Sequence, residues 1–169
     1  MKQSAASEAL PMSPAQQLGS FFAKYDPAVA NLARAARAKV RKRLPTSVEM
    51  VYDNYNALVV GFGPNERASE AIVSLALYPT KVGLVFIQGA RLPDPHRILR
   101  GSGNQVRSIP LQRAAEIDTA VVQALFDAAV RYSKTPFPET GHGYTVIKSI
   151  AAKQRARRPA QKRAAQKKA

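Results

Sequence analysis

The residues of this chain that could contact a ligand gather around one predicted turn. Tyr52, Asp53 and Tyr55 stand with two asparagines in the stretch Tyr-Asp-Asn-Tyr-Asn. Asp and Asn favour turns, but a turn does not require the two tyrosines. Because a phenol ring can stack on a ligand or hydrogen-bond to it at its edge, we predict a ligand-binding rim here for a small molecule or a protein. A plain turn is the alternative.

Glu49 and Asp53 are the closest acidic pair in this region. Residues at even spacing along a strand share one face, so these carboxylates form either an acid/base pair, a weak metal site or a structural pair. His96 and His142 lie far apart without metal-ligand spacing and are interpreted as loop histidines. The absence of cysteine excludes disulfides and thiolate metal sites. The sequence predicts no catalytic residue, no cofactor and no bound metal, and it favours a non-enzymatic protein.

Positive charge dominates the chain, with 26 Lys and Arg residues against 11 Asp and Glu residues and a net charge of +15. Such a charge attracts nucleic acid or other polyanions. The region from residue 148 to the end contains no acid, and we predict that it binds a polyanion without sequence specificity through Lys148, Lys153, Arg155, Arg157, Arg158, Lys162, Arg163, Lys167 and Lys168. On a predicted helix, Arg34, Arg37 and Arg41 form a second candidate surface, with a solvated helix face as the alternative.

A glycine-containing loop, Gly101-Ser102-Gly103-Asn104, lies between Arg100 and Arg107. Its backbone N–H groups could form an anion nest, although a tight turn is the simpler interpretation. Arg107 is therefore added to the candidate ligand-binding residues.

The elements that must position these residues follow from periodicity and turn residues. Asp26-Pro27 predicts a helix start, and an apolar stripe continues to Leu44. Asp118 is predicted to cap a last helix. Between them, strands are predicted at 48–52, 57–62, 71–78, 82–88 and 105–109, and a further short element is expected at 144–150. The predicted fold is α+β: a helix, an antiparallel sheet of about five strands and a helix, in two layers.

The predicted organisation is a flexible leader at 1–13, a single domain at 14–150 and a disordered Lys/Arg/Ala-rich tail at 151–169. The tail lacks large apolar residues after Ile150, so it is expected not to fold alone. Neither a secretory signal nor a stretch long enough to span a membrane is evident, and a cytoplasmic location is expected.

Three stretches taken in order resemble the YdhG-like family of small bacterial domains of unknown function: Glu49-x-Val51-Tyr52-Asp53, Lys81-Val82-Gly83-Leu84-Val85-Phe86 and Leu99-x-Gly101-Ser102-Gly103-x-x-x-Arg107. The resemblance covers residues 30–133 and implies a frataxin-like fold. Some relatives are described as iron chaperones and would be expected to carry acids on the first helix. Here that helix is basic, and the usual Gly-Met-Pro after the first-strand Tyr is absent.

Three hypotheses follow. The first is a binding module with a nucleic-acid-binding tail, the second is a frataxin-like iron-binding chaperone, and the third is a small enzyme of unknown reaction.

Overall fold

The computed structural model describes residues 9–161, and in it two helices precede five strands while a third helix precedes a sixth strand. The predicted α+β class is confirmed. The elements are α1 (Pro14–Phe22), α2 (Pro27–Arg43), β1 (Val48–Asp53), β2 (Leu58–Gly63), β3 (Val73–Tyr78), β4 (Lys81–Phe86), β5 (Arg107–Leu111), α3 (Ala120–Tyr132) and β6 (Tyr144–Ile150).

Each helix is preceded by a polar residue at its cap position, and in α1 and α2 a proline follows at the first helical position. The Ser13 hydroxyl accepts a hydrogen bond from the Gln16 backbone N–H at the start of α1. Asp26 precedes α2 as predicted, although its carboxylate makes no capping hydrogen bond. The cap of α3 is Thr119, not Asp118, because Asp118 ends a 3-10 turn one residue earlier. No helix within residues 9–161 is both long and apolar enough to cross a bilayer.

The sheet has six strands, not about five, in the order β5-β4-β3-β2-β1-β6. Strands β1 to β5 form an antiparallel meander, whereas β6 pairs in parallel with β1. The sheet is therefore mixed. The parallel pairing arises because the chain crosses over through α3 before it returns beside β1. The register of β6 shifts opposite the Val51–Tyr52 step, where Lys148 is the extra residue.

All three helices pack on one face of the sheet. Side chains such as Leu18, Ala33 and Phe126 join Val51 and Leu75 in a single buried cluster. The other face carries the alternate residues of each strand, and several of them are partly exposed. We call this second face the open sheet face. It is defined here by Tyr52, Val59, Ala76, Tyr78, Lys81, Gly83, Val85, Arg100, Ser108 and Pro110.

Candidate functional site

Glu49 lies on the helix-covered face of β1, where its side chain is only 1% exposed. Arg37 donates to both carboxylate oxygens, with Nε–Oε2 and Nη2–Oε1 distances of 2.6 and 3.0 Å. Arg41 Nε lies 3.2 Å from Oε1, and the Thr145 hydroxyl of β6 donates to the same oxygen at 3.3 Å. A carboxylate that is 1% exposed and bound by two guanidinium groups and a hydroxyl is a structural ion pair.

The basic residues of α2 therefore act mainly inside the fold. Besides the two arginines on Glu49, Lys39 pairs with Asp118 and Arg43 pairs with Asp127 of α3. Arg34 lies over the Phe22 ring, 5.8 Å from its centroid. Two of the three cations of the predicted polyanion surface, Arg37 and Arg41, thus pair with Glu49. Sequence spacing placed these arginines on one face correctly but did not show which acid they meet.

Asp53 is also buried on the helix-covered face, with its side chain 1% exposed, and it meets different cations. Lys24 Nζ lies 2.9 Å from Oδ2, and Arg157 Nη2 lies 2.8 Å from Oδ1. Arg157 Nη1 donates to the Tyr55 carbonyl at 3.4 Å, Nη2 also donates to the Asn54 carbonyl, and the guanidinium carbon lies 5.8 Å from the Tyr25 ring centroid. This pocket combines a carboxylate, two carbonyls and an aromatic ring around one guanidinium.

The C-terminal segment, defined here as residues 151–158, is placed against the fold and not detached from it. The Ala151 N–H donates to the Asp53 carbonyl at 2.8 Å, and the Arg155 N–H donates to the Tyr55 carbonyl at 2.9 Å. Arg158 donates to the carbonyls of Ala23 and Lys24 just beyond α1, where a cation is favoured. The contacts described for this segment are polar, and the disorder expected from the sequence for residues 151–169 stays a prediction. Lys162, Arg163, Lys167 and Lys168 lie outside the described residues.

The pKa of the Asp53 carboxyl gives this pocket a pH dependence. Burial raises that pKa, but hydrogen bonds from Lys24, Gln154 and Arg157 outweigh it, so the pKa lies below its usual range. A carboxylate with a lowered folded pKa stabilises the fold above the unfolded pKa of about 3.9, and this stabilisation is lost as the pH falls through the folded pKa.

We therefore expect Asp53→Asn to be less stable than the wild type at pH 7, with the gap narrowing as the pH falls below about 4. Urea unfolding of both proteins at pH 7, 4.5 and 3 measures that gap. A gap of the same size at pH 3 and pH 7 would show that the Asp53 charge does not stabilise the fold.

The four predicted ligand-binding residues are not brought together. Tyr52 points to the open sheet face, whereas the neighbouring Asp53 points to the helices, as alternation along a strand requires. Tyr55 is exposed in the turn after β1, with the Arg155 guanidinium 5.9 Å from its ring centroid. Arg107 belongs to β5, and three strands lie between β5 and β1. Tyr52, Asp53, Tyr55 and Arg107 therefore occupy separate positions, and a ligand at any of them stays a prediction.

The loop before Arg107 presents carbonyl groups to a cation. Arg107 Nη1 donates to the carbonyls of Gly103 and Val106. Gly101 has a φ of +128°, a conformation that favours glycine. The loop therefore supplies carbonyl acceptors to Arg107. This arrangement agrees with a tight turn better than with an anion nest, which would present N–H groups.

A depression of about 320 Å³ lies on the open sheet face, lined by Tyr78, Lys81, Gly83, Arg100, Ser108 and neighbouring residues of β3 to β5. Its floor is shallow because Gly83 and Ala76 are opposite each other on adjacent strands. Lys81 Nζ lies 5.1 Å from the centroid of the Tyr78 ring, and Arg100 lies beside Ser108 at the edge. Sequence reasoning missed this site, although Lys81 and Tyr78 flank the predicted β3–β4 turn.

A smaller cavity of about 90 Å³ lies at the opposite end of the strands, near the end of α3. Phe86 and Leu92 supply apolar walls, and Arg91 lies over the ring of Tyr132. Glu70 is held there by the Asn65 amide at 2.7 Å. The sequence held no signal for this cavity, because its walls come from four separate segments.

Ligands for a metal do not converge within residues 9–161, where no group of three or more His, Cys, Asp or Glu side chains is found. Glu49 and Asp53 share one face of β1, as their even spacing predicts, but each is bound to its own cations. His96 and His142 are exposed in separate loops. The iron-chaperone and enzyme hypotheses stay predictions that no site in this part of the chain supports.

Comparison of the chain with protein-family models, with curated proteins and with solved structures finds no match.

Proposed function

We propose that this protein is a non-enzymatic binding module that holds single-stranded nucleic acid on its open sheet face, without sequence specificity. The observation that carries the proposal is the depression between Tyr78, Lys81 and Arg100, which has two cations and no carboxylate among its described lining residues. Proteins that bind single strands combine a basic groove with aromatic side chains on which bases stack.

The distribution of charge favours this face over the helical layer. The acids Glu49, Asp118 and Asp127 pair with cations of α2, Glu49 from β1, Asp118 from the turn before α3 and Asp127 from α3. Lys81 and Arg100 form no ion pair within residues 9–161. Their charge is therefore available to phosphates on the open sheet face.

The tyrosines supply the second element of such a site. Tyr52 and Tyr78 both point to the open sheet face, from strands that lie two positions apart at a spacing of roughly 10 Å. Val59 and Ala76 lie between them as low side chains, so a base can approach either ring. Stacking on an aromatic side chain contributes roughly 1–3 kcal/mol per base and tolerates any sequence.

The C-terminal segment extends the basic surface at the end of the sheet. Lys153 and Arg155 are exposed there, and four further cations follow in the sequence beyond residue 161. Arg157 is excluded from this role, because its guanidinium is enclosed by Asp53 and two carbonyls. The resemblance to the YdhG-like family stays a prediction beside this proposal.

The test is fluorescence anisotropy with a labelled oligo-dT strand over a series of salt concentrations. The variant Lys81→Ala/Arg100→Ala is expected to bind more weakly. Its slope of log binding constant against log salt concentration is expected to be shallower by about 1.4, because each single-strand phosphate contact contributes about 0.7. The matched control Lys42→Ala/Arg131→Ala removes the same charge from exposed helix positions and is expected to keep the wild-type slope.

An equal loss in both variants would show that net charge, and not the open sheet face, binds the strand. A duplex of the same length that binds more tightly than the single strand would contradict the stacking part of the proposal.

A further inference from the structure

The pocket around Arg157 differs in chemistry from the surface proposed to bind nucleic acid. The groups that Arg157 bonds to are all acceptors, namely the Asp53 carboxylate and the backbone carbonyls of Asn54 and Tyr55, while Lys24 holds the other carboxylate oxygen of Asp53. The Tyr25 ring closes one side at 5.8 Å from the guanidinium carbon. A planar cation with several N–H donors matches these acceptors, whereas an anion does not.

The pocket walls are held independently of the C-terminal segment. The Tyr25 hydroxyl donates to the Leu77 carbonyl at 3.1 Å and accepts from the Leu58 N–H at 3.2 Å, so its ring is fixed between β2 and β3. The Asn54 N–H donates to the Ala57 carbonyl at 3.0 Å, which closes the β1–β2 turn. The Tyr25 ring, the turn that carries the Asn54 and Tyr55 carbonyls and, through Lys24, the Asp53 carboxylate thus each have a contact that does not involve the segment.

The C-terminal segment fills the pocket imperfectly. Arg157 is 4% exposed, yet its Nε has no hydrogen-bond partner within residues 9–161. The segment contains no large apolar side chain, and its hold on the sheet consists of polar contacts. A buried donor without an acceptor weakens the hold of the internal occupant.

We propose that Tyr25, Asp53, Asn54 and Tyr55 form a guanidinium-binding site, which Arg157 of the same chain occupies and which an arginine side chain of another molecule can take in exchange. The external ligand is thus an arginine in an exposed, extended peptide segment. Such a segment delivers its guanidinium along the path that residues 151–158 now follow. This site is separate from the open sheet face and does not depend on nucleic-acid binding.

The first experiment measures rescue of the full-length Arg157→Ala variant by methylguanidinium, with methylammonium as the cation that lacks the planar fork. Methylguanidinium is expected to raise the Tm of this variant at concentrations on the order of 1–50 mM, the range that fills a weak binding site. At ten times its Kd the unfolding equilibrium constant falls about 11-fold. The wild type and the matched control Arg155→Ala are expected not to respond, because Arg157 still fills their pocket.

Two outcomes would overturn the proposal. One is an equal effect of methylammonium on Arg157→Ala, and the other is an unchanged response when Asp53→Asn is added to that variant.

The second experiment needs no variant. In the wild type, the backbone amides of Ala151 and Arg155 are expected to exchange with deuterium faster than the core amides of β2 and β3, because the segment opens without global unfolding. Methylguanidinium is expected to accelerate their exchange by occupying the vacated pocket, and methylammonium is expected not to do so. Exchange of both amides at the global unfolding rate, unchanged by methylguanidinium, would show that the segment is a permanent part of the fold.

Discussion

Glu49→Gln is expected to lower the free energy of unfolding by about 3 kcal/mol or more, the cost of leaving one member of a buried ion pair without its partner. The Arg37 side chain is 19% exposed and donates to both Glu49 oxygens, so it loses its counter-charge in a site with little water. Arg41 loses the same counter-charge, and the donors of Arg37, Arg41 and Thr145 are left with one acceptor oxygen in place of two. Urea denaturation at pH 7 measures the change.

Asp118→Asn is the matched control for this prediction. It also removes a carboxylate bound by a cation of α2, but the Asp118 side chain is 56% exposed. An exposed pair contributes less than about 1 kcal/mol, so the control is expected to remain close to the wild type. Similar losses in the two variants would contradict the view that burial makes Glu49 the main link between α2, β1 and β6.

Two truncations are expected to differ sharply in stability. A chain ending at residue 158 keeps every contact described for the C-terminal segment and is expected to keep the wild-type Tm. A chain ending at residue 150 loses Arg157 and leaves Asp53 with Lys24 alone. Its Tm is expected to fall by roughly 6–12 °C, as a loss of about 3 kcal/mol implies for a chain of this size.

Thermal unfolding followed by circular dichroism compares the two truncated chains. Equal melting temperatures would contradict a structural role for residues 151–158. The burial of Arg157 against the buried carboxylate of Asp53 is the reason to expect this structural role.

The same truncations separate fold from nucleic-acid binding. The chain ending at 158 lacks Lys162, Arg163, Lys167 and Lys168 but retains the open sheet face. If all four cations contact a single strand, the plot of log binding constant against log salt concentration is expected to be shallower for the chain ending at 158, by up to about 2.8 in slope. A slope equal to that of the full chain would show that these residues make no phosphate contact.

Local chemistry along the chain was enough to predict most elements. Pro27 after Asp26 and the apolar stripe of α2 predict that helix, because capping and amphipathic periodicity are properties of neighbouring residues. Short connections join β1 to β2 and β3 to β4 as antiparallel hairpins, whereas residues 87–106 separate β4 from β5, so only the structure shows that these two strands pair. The even spacing of Glu49 and Asp53 likewise placed both carboxylates on one face of β1.

The sequence by itself thus determined the α+β class, the hairpins, the basic character of α2 and the excess of positive charge. Only the tertiary structure decided which charges meet. Arg157 reaches Asp53 across 104 residues, because β6 returns in parallel beside β1 and delivers the C-terminal segment to the end of the sheet. The partner of a charged residue cannot be predicted from the sequence alone, since it depends on which elements become neighbours in the fold. The same packing made Arg37 and Arg41 the partners of the buried Glu49 and left Lys81 and Arg100 on the open sheet face.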